Sequence, residues 1–127
     1  MSESRFNTTV AILVILAGGM AYVNTFSGEW VWDDASSVLL HKHVQQPGQW
    51  AQLFREDQHA FGRGQGNFYR PFVAVTFMLD YYLSGGPRPD EYDSRAIPEV
   101  SPLLFHITNM TLHLLAALLL SLIHISE

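Results

Sequence analysis

Two stretches without a single Asp, Glu, Lys or Arg, Phe6–Gly28 and Val100–Ser126, constrain most strongly what this 127-residue chain can fold into. The first, 23 residues long, would extend about 34 Å as a helix, against a hydrocarbon core of roughly 30 Å. The second has 27 residues and a centre, Leu112–Ile123, dominated by Leu and Ala. Both read as membrane-spanning helices, and neither carries the charged face of an amphipathic surface helix. Gly18-Gly19 supplies the small residues common where membrane helices pack closely. Two alternatives stand beside this reading: a cleaved signal peptide at the N-terminus and a buried soluble helix for the second stretch. Against a signal peptide, Met1–Arg5 lacks the usual net positive charge and no small-x-small cleavage site follows. The predicted fold class is all-α membrane: two transmembrane helices flanking an extracytoplasmic loop with short interfacial helices. The expected segments are 1–28 (tail and first helix), 29–101 (loop) and 102–125 (second helix).

Composition narrows the function classes. Net charge is −5, and the seven Lys and Arg residues are scattered singly, so there is no electrostatic footprint for nucleic acid. Without Cys, disulfides and thiolate metal sites are excluded. Arg5 is the lone basic residue before the first helix. We expect a cytoplasmic N-terminus and an extracytoplasmic loop, although a loop this long weakens the positive-inside rule. Ser121–Glu127 (SLIHISE) resembles the translated read-through of a sequencing adapter. On that reading the native chain ends near Leu120 and continues as a larger membrane protein.

In the loop, short helices are expected at about 33–44, 49–56 and 70–84. Asp33, Asp34 and Ser36 are good N-cap residues ahead of Val38-Leu39-Leu40, and Gln46-Pro47-Gly48 breaks the first helix. Phe72–Leu83 is too short to span a bilayer, and its aromatic residues suit an interfacial helix opened by Pro71. Gly62-Arg63-Gly64-Gln65-Gly66 lacks the Gly-Lys-Ser/Thr of a P-loop and reads as a plain loop. Arg88–Val100, rich in acids and Pro, reads as a surface loop.

Three groups of residues could carry chemistry. Trp32-Asp33-Asp34 places two adjacent carboxylates just after the first apolar stretch. Two like charges near a low-dielectric phase cost stability, so the pair suggests a metal ion, a catalytic base or simply a solvated loop. Tyr69-Arg70-Pro71 puts a planar guanidinium at a helix N-terminus, suited to a lipid phosphate or to an ordinary surface ion pair. His106, Asn109 and His113 fall at i, i+3 and i+7, on one face of the second apolar helix. They would line a site or bond between helices. His41-Lys42-His43 is either a metal-binding pair or, more commonly for such a run, solvated loop.

The order of these landmarks resembles the N-terminal part of multi-pass GT-C glycosyltransferases. It resembles most the transmembrane O-mannosyltransferases with C-terminal tetratricopeptide repeats, and their bacterial relatives. The landmarks are Trp32-Asp33-Asp34, then Trp50 with Leu53-Phe54, then Tyr69-Arg70-Pro71 before Thr76, Phe77 and Asp80, then Phe105-His106, Asn109 and His113. The likeness runs over about Thr25–Leu120. It implies transfer of a hexose, such as mannose, from a polyprenyl- or dolichyl-phosphate donor to a protein or glycan hydroxyl, with inversion. It also implies a place in the bacterial inner membrane or the endoplasmic reticulum. By position, Asp34 or Asp33 would be the base. Arg70 with Tyr69 would hold the lipid phosphate, and His106, Asn109 and His113 would shape the site. The implied partners are membrane lipid, the lipid-linked donor and the acceptor. No cofactor is assigned; an acidic pair can bind a divalent ion, so Asp33/Asp34 is an option for one, without a complete ligand set. The rival readings are a non-enzymatic two-helix membrane protein with a sensing or scaffolding loop, and a secreted binding protein.

Overall fold

The computed structural model describes residues 3–57, 68–88 and 97–125. The Gly-rich loop at 62–66, most of the acidic Arg88–Val100 segment and the last two residues of the adapter-like tail lie outside these described residues. The described chain is all-helical, as the apolar patterning predicts. It divides into two compact units, one from the parts up to Gly28 and from His106 onward, the other from Glu29–Phe105.

The first unit is built on α1 (Glu3–Tyr22), which tightens into a 3₁₀ turn over Val23–Ser27, and on α3 (Leu103–Ile125) from His106 onward. The stretches Arg5–Ser27 and Leu103–Ser121 are long and apolar enough to cross a membrane. Their large side chains stay exposed, including Ile12, Leu13, Leu16 and Met20 on the first and Leu112, Leu115 and Leu119 on the second. An apolar helix with its Leu and Ile side chains outward is unstable in water and stable in lipid. Of the two glycines expected to allow close packing, Gly18 does so: a Cβ there would sit 2.5 Å from Leu114 Cδ2, whereas one at Gly19 would meet nothing within 4 Å.

The second unit has its own core. Val38, Leu39, Val44, Leu53, Ala74, Met78, Tyr81, Val100 and Phe105 are buried together, with Trp30 and Phe77 packed against them. Its elements are a π-turn over Ala35–Leu39, a 3₁₀ segment over Pro47–Phe54 kinked at Gln49, and α2 over Pro71–Leu83. Both short segments pack on α2. Pro47 and Pro71 each start an element at the position where a missing N–H costs nothing. The two ends of the unit are pinned together: Trp30 Nε1 donates to Val100 O at 2.7 Å, and its ring meets Phe105 edge-on at 4.9 Å.

α2 ends in a Schellman motif. Gly85 N–H donates to Tyr82 O and Gly86 N–H to Tyr81 O, with Gly85 in the left-handed region at φ 72°. Gly86 lies flat on the buried Tyr81 ring, where an added Cβ would come within 2.4 Å of Cε1. The Tyr81 hydroxyl donates to Pro87 O at 2.7 Å, so ring and turn lock each other.

Candidate functional site

The acidic pair sits in a tight turn with an unusual backbone. Asp34 N–H donates to Val31 O at 3.0 Å, and the Asp34 carboxylate accepts from Val31 N–H at 2.8 Å. Trp32 between them is left-handed, at φ 45°, and its side chain is 95% exposed. A left-handed L-residue costs roughly 1–2 kcal/mol. With the indole this exposed among the described residues, the surrounding hydrogen bonds hold the turn. The Asp33 carbonyl then accepts from the N–H groups of Ser36 and Ser37 and from the Ser36 hydroxyl, and opens the π-turn. That turn closes through Leu40 N–H to Ala35 O at 2.8 Å. Single π-turns are rare and concentrate at functional sites. One Asp34 oxygen is thus fixed by the backbone, while Asp33 is exposed beside it.

Arg70 is the residue before α2, exposed, with its guanidinium 5.8 Å from the Phe68 ring centroid. Tyr69 is anchored by its hydroxyl, which donates to Phe54 O at 2.8 Å. Phe54 in turn meets the Phe72 ring edge-on at 5.6 Å. The Arg70 side chain therefore projects from a strut of Tyr69, Phe54 and Phe72 at the positive end of α2. No described hydrogen bond or ion pair joins it to Asp33 or Asp34. Both groups open segments of the same unit, and the π-turn after the acids packs on the helix after the arginine.

His106, Asn109 and His113 belong to the other unit. His106 Nε2 lies 3.3 Å from Gly28 O, and the His113 ring meets Tyr22 edge-on at 5.0 Å. Both imidazoles thus take partners on the first helix and its 3₁₀ extension, while Asn109 is exposed. Gly28 permits the first contact, since a Cβ there would stand 3.3 Å from His106 Nε2.

His41-Lys42-His43 is not solvated as a whole, because its two imidazoles face inward. His41 is 2% exposed, Lys42 is outside, and His43 is buried. His41 Nδ1 accepts from Val44 N–H, which requires the neutral ring, and burial holds its pKa below the usual histidine value. The nearby His43 lowers it further, against opposing effects from the Asp57 backbone and Glu56. His43 Nε2 is 3.0 Å from Glu56 Oε2 and its Nδ1 2.5 Å from Gln49 Oε1. The signal that sequence reading passed over was the apolar context: Val38-Leu39-Leu40 before and Val44 after enclose the pair. Among the described residues no three His, Cys, Asp or Glu side chains gather as a metal-ligand set, at Asp33/Asp34 or at the histidines.

The chain is similar, weakly but repeatedly, to one class of enzyme, the protein O-mannosyl-transferases. Protein O-mannosyl-transferase TMTC4 of Mus musculus is 26% identical over 97 residues, 74% of this chain. Protein O-mannosyl-transferase TMTC1 of Homo sapiens is 28% identical over 115 residues, 87% of this chain. Tmtc1 of Drosophila melanogaster, of the same name, is 29% identical over 105 residues, 80% of the chain. The matched region makes up 11% of each of these relatives, so the chain spans about a ninth of their length. No family model matches, and no solved structure matches.

Proposed function

We propose that this chain is the N-terminal part of a membrane glycosyltransferase that moves a hexose from a polyprenyl- or dolichyl-phosphate donor to a hydroxyl of a protein or glycan. The carrying observation is the strained Val31–Asp34 turn, which fixes one oxygen of Asp34 and keeps the carboxylate pair at the surface. Backbone strain that no local packing repays is a feature of functional sites. The repeated similarity to O-mannosyl-transferases supplies the reaction class.

In this reading the acceptor hydroxyl attacks the anomeric carbon as the bond from that carbon to the donor phosphate oxygen breaks. A neutral alcohol is a poor nucleophile, and Asp34 takes its proton as attack proceeds. Asp33 orients the acceptor or its neighbour. A single displacement inverts the anomeric centre, as it does in inverting glycosidases. The lipid phosphate departs with growing negative charge, which Arg70 receives through a paired set of N–H donors at the α2 N-terminus, with Tyr69 bracing it. His106, Asn109 and His113 supply polar groups along α3 for the substrates. The loop faces outward from the cytoplasm and the N-terminus inward. Because the donor carries a polyprenyl chain, the membrane itself delivers the substrate.

The test is transfer of radiolabelled mannose from polyprenyl-phosphate mannose to a hydroxyl acceptor by the full-length protein that carries this segment. We expect a product of inverted anomeric configuration. Arg70→Ala should raise the KM for the lipid donor at least about tenfold, the loss of a charge-assisted contact worth roughly 1.5–3 kcal/mol. An unchanged donor KM counts against the phosphate role of Arg70, and a retained anomer counts against single displacement.

A further inference from the structure

The loop unit holds a cleft whose lining contains none of the residues assigned to the transfer chemistry. It lies between the Pro47–Phe54 segment and the end of α2. A hollow of about 290 Å³ is lined by Gln45, Pro47, Tyr81, Tyr82 and Arg88, among others, and a wider one of about 670 Å³ shares Pro47, Tyr82 and Arg88 with it. Small-molecule sites commonly have about this size, roughly 300–1,000 Å³.

The floor is preorganised. Tyr81 is 1% exposed and tied to Pro87 O, Gly86 is pressed on its ring, and Gly85 takes the left-handed turn that closes the rim. The walls offer two kinds of group. Tyr82, 59% exposed, brings an aromatic ring to the same wall set as Pro47. Gln46 and Gln49 present amides whose other ends are already fixed. Gln49 Nε2 donates to Gln46 Oε1, and Gln49 Oε1 faces His43 Nδ1, which is braced by Glu56. That leaves the Gln46 amide N–H groups and the second N–H of Gln49 to be donated to a ligand.

An aromatic face beside fixed amide donors is the chemistry that recognises a pyranose, whose apolar face stacks while its hydroxyls accept and donate. A peptide adding as a β-strand would need a backbone edge to pair with, and these walls are helical side chains. A simple anion would need an uncommitted cation, and Arg88 is already engaged. The geometry points to this cleft as a binding subsite for one hexopyranose unit, stacked on Tyr82 and held by Gln46 and Gln49. The inference rests on the glycosyltransferase reading for why a sugar is present, whether the end of an acceptor glycan or the donor's own hexose. Its chemistry rests on the cleft alone.

The experiment is a titration of the full chain in lipid nanodiscs, isotope-labelled at Gln and Tyr, followed through the Gln46 and Gln49 side-chain amides and the Tyr82 ring by nuclear magnetic resonance. Methyl α-mannopyranoside probes a free glycan end, and polyprenyl-phosphate mannose in the same discs probes the donor. Saturable shifts at these three residues with either sugar support the subsite, and the arm that responds identifies the source. Tyr82→Ala should weaken binding about tenfold, whereas Tyr82→Phe should stay within about twofold because the ring does the stacking. Gly48→Phe offers a second variant: a Cβ there meets nothing within 4 Å, so the ring fills the wider hollow without a clash at its base. It should abolish the shifts while leaving the amide spectrum of the core unchanged. Asp34→Asn should leave sugar binding intact, so failure of the base assignment and failure of the cleft are separate results. No shift with either sugar, affinity unaffected by both Tyr82→Ala and Gly48→Phe, or shifts elicited by inorganic phosphate in place of the sugars would each overturn the proposal.

Discussion

At the scale of single residues, the two that matter most are held by opposite means. Trp32 is strained and almost fully exposed, and Asp34 is fixed by the turn that the strain creates. Replacing Trp32 by Asn, which tolerates the left-handed region, should therefore stabilise the loop unit by about 0.5–1 kcal/mol in thermal or denaturant unfolding, since no packing is lost. A destabilised Trp32→Asn variant would mean that the indole has a partner in the membrane-bound state. His41 makes the opposite kind of commitment, because its buried ring must stay neutral. The unfolded chain takes up a proton at about the ordinary histidine pKa of 6.5, whereas the folded chain does so at a lower pH. Stability is therefore full above pH 6.5 and falls as the pH drops from there to the folded-state pKa. Unfolding midpoints measured from pH 7.5 to 5 should fall, and His41→Asn should flatten that part of the slope. An equally steep profile in the variant would assign the effect to another group.

At the scale of elements, the apolar stretches were legible because absence of charge over more than 20 residues has few physical solutions. The α2 boundaries were legible for the same kind of reason: Pro71 can start a helix and Gly85-Gly86 can end one. What the sequence concealed depends on tertiary partners. Nothing local tells that the acidic pair opens a π-turn, because that register is set by Val38 and Leu39 packing into a core assembled from distant segments. The two imidazoles of the His-Lys-His run read as solvated because the partners of His43, Gln49 and Glu56, lie in the next segment and only the flanking apolar residues are local. Asp33, Asp34 and Arg70 stood out by type, but the Val31 amide that holds Asp34 and the Phe54 carbonyl that anchors Tyr69 beside Arg70 did not. The Gly86–Tyr81 contact gives an element-scale test. Gly86→Val should destabilise the unit by about 1–3 kcal/mol, because its side chain must displace a ring that is itself hydrogen-bonded. Unfolding of Gly86→Val within about 0.3 kcal/mol of the parent would show that the turn is free to move.

At the scale of the whole molecule, a loop unit with its own core is joined in sequence to two helices whose exposed Leu and Ile suit lipid better than water. In the relatives with which the chain shares 26–29% identity the matched region makes up 11% of the length, and the activity proposed above belongs to a protein of that size. The central claim is that Asp34 accepts the proton of the attacking hydroxyl. Asn keeps an oxygen able to accept from Val31 N–H, so Asp34→Asn tests the base with the turn preserved. The decisive measurement is single-turnover transfer of mannose from polyprenyl-phosphate mannose by the full-length Asp34→Asn protein, at matched expression and donor occupancy. The transfer rate should fall about 100-fold or more, the range for loss of a general base. A rate within about twofold of the parent, with the donor bound normally, would contradict it.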